Sequence, residues 1–113
     1  MGRGAEDVPR PWPKTPFRVN AKNRHVLDDW TTLLRTRFGP AQRCWDHIAT
    51  TPSQPIGGVY TRLHGPQAWC EFAGKTIPQW QWEIDRRARV KIGVGDAFVV
   101  IVSVSPGHPK ENE

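Results

Sequence analysis

The sequence predicts an α+β domain in which a helical hairpin packs on one antiparallel β-sheet. Three observations carry this reading. Apolar residues recur at helical spacing over two consecutive stretches between residues 21 and 50. Polar and apolar residues alternate as in strands over residues 79–84 and again over residues 88–94. Pro- and Gly-rich breaks separate these runs. With 113 residues, 37% hydrophobic content and six tryptophans, the chain can bury the core of one compact domain and little more.

Taken in order, residues 1–16 carry Pro9, Pro11, Pro13 and Pro16 among glycine and charged residues, which disfavours helix and ladder alike. They are expected to form a flexible Pro-rich tail, with the domain proper spanning residues 17–113. Phe17-Arg18-Val19-Asn20 suits a short strand. From Ala21 the period changes: Val26, Leu27, Trp30, Leu33, Leu34 and Phe38 mark one helical stripe, and Gly39-Pro40 ends that run and opens the next. The second stripe is Ala41, Cys44, Trp45, Ile48 and Ala49, closed by Thr51-Pro52. After a Pro/Gly-rich connection, Val59-Tyr60-Thr61-Arg62-Leu63 alternates as a strand ended by His64-Gly65-Pro66. Residues 69–75 fit either a short strand or a packed excursion. No internal repeat is visible.

The remaining residues form a meander whose register decides which side chains meet. In Gln79-Trp80-Gln81-Trp82-Glu83-Ile84 the tryptophans and Ile84 share one face, and Gln79, Gln81 and Glu83 the other. In the next run Val90, Ile92 and Val94 point inward, and Arg89 and Lys91 outward. A three-residue loop, Asp85-Arg86-Arg87, pairs Ile84 with Ala88, Trp82 with Val90, Glu83 with Arg89 and Gln81 with Lys91. Every side chain then meets its own kind, whereas a two-residue loop at Arg86-Arg87 sets Ile84 against Arg89. A second turn at Gly95-Asp96 pairs Val94 with Ala97, Ile92 with Val99 and Arg89 with Val102. Glu83 thus lies beside Arg89, either as a plain ion pair on a solvated face or as part of a site.

A formal charge of +5 and a pI near 9.8 point to a polyanionic partner, of which nucleic acid is the commonest; an acidic protein satisfies the same arithmetic. No apolar signal-peptide core stands near the N-terminus, and the longest apolar run, residues 97–102, is too short to span a bilayer. A cytoplasmic protein without membrane contact is the expectation. Cys44 and Cys70 sit far apart and form no thiol redox motif. Cys44 and His47 are spaced one helical turn apart, but no second ligand pair accompanies them, so no metal site is expected. Trp30, Trp45, Trp80 and Trp82 read as core. Trp69 either packs or offers a stacking surface for an unpaired base.

The helical hairpin, Arg62-Leu63-His64-Gly65, the polar-faced strand leading to Ala88-Arg89-Val90, and Val102-Ser103-Val104-Ser105 running into Gly107-His108-Pro109-Lys110 together resemble the RelE/ParE superfamily of toxins from type II toxin–antitoxin modules. The likeness covers roughly residues 17–110. It implies a metal-independent mRNA endoribonuclease, usually ribosome-dependent, with no cofactor and with a cognate antitoxin protein as partner. The ParE branch supplies the alternative, a non-enzymatic gyrase poison, and a catalytically silent basic nucleic-acid-binding module is a further one. Where well-studied ribonucleases of the family carry paired lysines or arginines, this chain has Gln81 and Glu83.

Cleavage without metal needs a base for the 2′-hydroxyl proton, cations for the charge growing on the phosphate, and an acid for the leaving 5′-oxygen. The resemblance assigns Arg89 to the scissile phosphate and His108 to acid/base or phosphate contacts, the latter suited to neutral pH by an unperturbed pKa of ~6.5. Glu83 is the candidate base. Arg62, Arg87, Lys91 and Lys110 are the candidate RNA-binding cations.

Overall fold

The computed structural model describes residues 17–105. The expected tail at residues 1–16, and the expected roles of His108 and Lys110, lie outside the described residues. The element order is β1 (Arg18–Ala21), α1 (Arg24–Thr36), α2 (Phe38–Thr50), β2 (Tyr60–Arg62), a single 3-10 turn (Gly65–Gln67), β3 (Trp69–Phe72), β4 (Lys75–Glu83), β5 (Arg89–Val94) and β6 (Phe98–Ser105). Two helices therefore pack on one side of a six-stranded sheet of order β1-β6-β5-β4-β2, with β3 paired to β4 off that path.

The sheet is mixed, which corrects the expectation of an antiparallel one. Strands β2 to β6 pair antiparallel, but β1 lies parallel to β6, with Val19 opposite Val99. Four residues of alternation reveal a strand's faces but carry no signal for its direction. The two helices then carry the chain from the β1 edge to the β2 edge at the far side of the sheet.

The helix pair forms as the periodicity requires, with one change at the joint. Asn23 caps α1 by accepting the Val26 N–H at 2.9 Å. Arg37 alone separates the helices: its N–H donates to Leu33 O at 2.7 Å, and its carbonyl accepts from Ala41 N at 3.0 Å. Gly39-Pro40 is therefore no stop signal. Pro40 sits in the first turn of α2, where an N–H has no helical partner in any case. The buried stripe is narrower than the apolar pattern suggests: Val26, Trp30 and Leu33 on α1 and Ala41, Cys44, Ile48 and Ala49 on α2. Leu27 (44% exposed), Phe38 (63%) and Trp45 (42%) stand on the rim, so Trp45 is not the core residue expected. Two helices on a flat sheet offer one contact face each, and these three residues flank it.

Between the layers, Tyr60, Trp80, Trp82, Val90, Ile92, Val99, Ile101 and Val104 meet the helix stripes in one core. Tyr60 stacks on Trp80 with ring centroids 4.8 Å apart, and its buried hydroxyl donates to Pro52 O at 2.6 Å. Desolvation pushes the pKa of the Tyr60 hydroxyl up, to which neighbouring Cys44 adds, so the phenol stays neutral; burial likewise pushes the Cys44 thiol up, leaving it an inert apolar residue.

Candidate functional site on the outer sheet face

The face opposite the helices is built by the β4–β5 register, and there the pairing matches the expected one: Trp82 with Val90, Gln81 with Lys91 and Glu83 with Arg89. The Ile84 N–H donates to Ala88 O at 2.9 Å, closing the three-residue loop. The β5–β6 turn differs from expectation. Val94 pairs with Val99 and Ile92 with Ile101, with Gly95 N–H donating to Phe98 O at 2.9 Å, so the turn residues are Asp96 and Ala97. Gly95 follows directly on β5 and leaves no room for a side chain, because the Phe98 ring lies 2.4 Å from where its Cβ would stand. An irregularity between Lys91 and Ile92 then advances the register, and Arg89 meets Ser105 instead of Val102.

The result is two polar rows across neighbouring strands. Thr61, Gln81, Lys91 and Ser103 form one, and Glu83, Arg89 and Ser105 the next. Arg89 Nε donates to Glu83 Oε2 at 3.2 Å, with the two side chains 44% and 42% exposed. A screened pair of this kind adds roughly 0–1 kcal/mol to stability. Its chemical content is larger: a carboxylate and a guanidinium stand side by side on an open surface, with an ammonium in the adjoining row.

The loop at the end of these rows has its own frame. Asp85 Oδ1 accepts the backbone N–H groups of Arg87 and Ala88, each at 2.8 Å, and Oδ2 pairs with Arg37 from the helix joint. The Ala88 N–H bond, the Arg37 guanidinium and the Arg87 N–H bond hold the Asp85 carboxyl down at about 2. Arg86 and Arg87 project from this loop, both exposed.

The other sequence-selected cations divide. Arg87 and Lys91 lie with Arg89, whereas Arg62 does not. It pairs with Trp80 and so belongs to the helix side, where its guanidinium donates to Leu63 O at 2.6 Å and Ala68 O at 2.8 Å and lies 4.9 Å from the Trp69 ring centroid. Trp69, in a true strand and 56% exposed, pairs with Pro78 and faces away from the polar rows. Sequence reasoning passed over Arg86, Ser103, Ser105 and Arg37. The serines alternate with buried Val104, a signal available in the sequence, whereas the Arg37–Asp85 contact spans 48 positions and has none.

A concavity of about 500 Å³ lies on the opposite side of the sheet, lined by Arg43, Asp46, His47 and Thr50 of α2 with Ile56, Val59 and Trp82. His47 ties this region together: its Nε2 meets Gln54 O at 2.8 Å and its ring lies 5.1 Å from Tyr60. Among the described residues no group of His, Cys, Asp and Glu is arranged to hold a metal ion, and no helix is long and apolar enough to cross a membrane. No family model, curated protein or solved structure matches the chain.

Proposed function

We propose that the protein is a RelE-like toxin of a type II toxin–antitoxin system, acting in the cytoplasm as a metal-independent, ribosome-dependent mRNA endoribonuclease. The observation that carries this reading is the Glu83–Arg89 pair on an open polar face, with Lys91 one row away and Arg86 and Arg87 at the rim. In this mechanism Arg89 releases its exposed ion pair to meet the scissile phosphate and stabilises the charge that grows there. Glu83, freed by that exchange, takes the 2′-hydroxyl proton as oxygen attacks phosphorus and the 5′-oxygen leaves. Lys91 and Arg87 hold the flanking phosphates, and His108 protonates the leaving oxygen. The two-helix layer on a mixed sheet is compatible with the fold this family uses, and the +5 charge with both an RNA substrate and an acidic antitoxin.

A non-enzymatic binder is the second reading, favoured by the fact that Glu83 and Arg89 satisfy each other without substrate. Inducible expression with mapping of mRNA 5′ ends and of gyrase-linked DNA breaks separates the two. Codon-phased mRNA ends support the ribonuclease, gyrase-linked breaks support the poison, and the absence of both signals contradicts these two and leaves the catalytically silent nucleic-acid binder.

A further inference from the structure

The β4–β5 loop is tied down more thoroughly than an exposed three-residue connection requires. Both oxygens of Asp85 are engaged, one by two backbone N–H groups of the loop and the other by a guanidinium from the helix layer. The loop backbone closes further through Asp85 N–H to Ala88 O at 3.3 Å. Arg37 is itself held in the single-residue joint between α1 and α2, so it connects the one corner of the helix layer to the tip of the hairpin. The consequence is electrostatic as well as mechanical. With its carboxylate committed to Arg37, Asp85 does not neutralise its neighbours, and among the described residues neither Arg86 nor Arg87 pairs with a carboxylate.

We propose that Arg37, acting through Asp85, is a positioning residue that fixes the 85–87 loop so that Arg86 and Arg87 form a two-arginine grip on a phosphodiester backbone beside the Glu83–Arg89 row. The proposal rests on the RNA reading above and adds to it Arg86 as a binding residue and Arg37 as its remote support. Arginine suits the task because its planar fork engages phosphate through two donors, and a fixed loop presents both forks without an ordering cost at binding.

The test uses the full chain and a short single-stranded RNA carrying 2′-O-methyl groups, which binds without being cut. Two measurements run in parallel: RNA affinity as a function of salt, and hydrogen exchange of the Arg87 and Ala88 amides without RNA. Arg86→Ala/Arg87→Ala lowers the salt slope by about 1.4, at roughly 0.7 per phosphate contact on a single strand. Asp85→Ala raises the net charge by one, so charge counting alone has it bind RNA more tightly. Positioning has it bind roughly three- to ten-fold more weakly, as two charge-assisted contacts lose their alignment. Arg37→Met weakens binding in the same direction and speeds exchange at Arg87 and Ala88, and Arg37→Lys restores both in part.

Unchanged exchange in Arg37→Met, or Asp85→Ala bound as tightly as the wild type or more so, overturns the positioning role alone. A wild type that binds no RNA overturns the function on which the proposal rests, and the exchange data then report separately on the loop.

Discussion

Residues of β4, β5 and β6 that point away from the helices fall into two groups that share a face and differ in everything else. Toward one end Gly93 and Val100 are buried, because the β3–β4 hairpin folds across them and buries its own Ile77 in doing so: Cys70 Sγ and Ile77 Cδ1 lie 2.7 and 2.8 Å from where a Gly93 Cβ would stand. The Phe72 ring of β3 reaches 5.8 Å from Phe98 of β6, and Gln79 is only 6% exposed, its amide donating to Gln67 O at 2.8 Å. Toward the other end Gln81, Glu83, Arg89, Lys91, Ser103 and Ser105 have no such cover. One sheet face thus carries a small second core and an open charged surface. The glycine at 93 admits the hairpin, and the charges from residue 81 onward keep the remaining face in water.

If the covered half is a true core, damage there removes stability and leaves the chemistry of the open half intact. Ile77→Ala is expected to have the largest effect, a loss of about 2–5 kcal/mol by transfer and cavity terms, read in denaturant melts. Loss below ~0.5 kcal/mol would show that the hairpin does not close over this face. Gly93→Ala comes next, at about 1–3 kcal/mol, because its new methyl meets Cys70, Ile77 and Val100 at once. A second-site Cys70→Ala recovers part of that loss if the contact is the cause.

The pattern of alternation made much of this legible. The helix stripes, the inward tryptophans of β4 and the three-residue loop that sets Glu83 beside Arg89 all follow from period and from matching faces. Alternation states which face a residue takes, however, and not what lies over that face; Gln79 therefore read as wet when it is buried. The β5–β6 register escaped because a shift of two residues preserves the inward set, so the faces give no preference between the turns. Arg62 shows the same limit from another side: a cation in an exposed-looking strand is spent on local carbonyls. The tie from Arg37 to Asp85 is tertiary and leaves no local trace.

A smaller effect sharpens the contrast at the loop. The Asp85 carboxyl is held at about 2 in the fold, below the ~3.9 of an unfolded chain, so its contribution is present above pH ~4 and is lost as pH falls through about 2. The wild type should exceed Asp85→Asn in melting temperature at neutral pH, with the gap closing in acid. Solvent screening at this exposed position keeps the difference below about 1 kcal/mol. A gap that widens on acidification would contradict the assignment of charge to this pair.

The central claim, that the open half of the outer face cuts RNA, is tested most directly by the Arg89→Ala protein in a ribosome-containing cleavage assay on a defined mRNA. The account predicts a melting temperature close to wild type and a cleavage rate lower by ~10²–10³, the effect of removing one transition-state donor. A variant that cuts at the parental rate, or a parent that cuts nothing with ribosomes present, would contradict it.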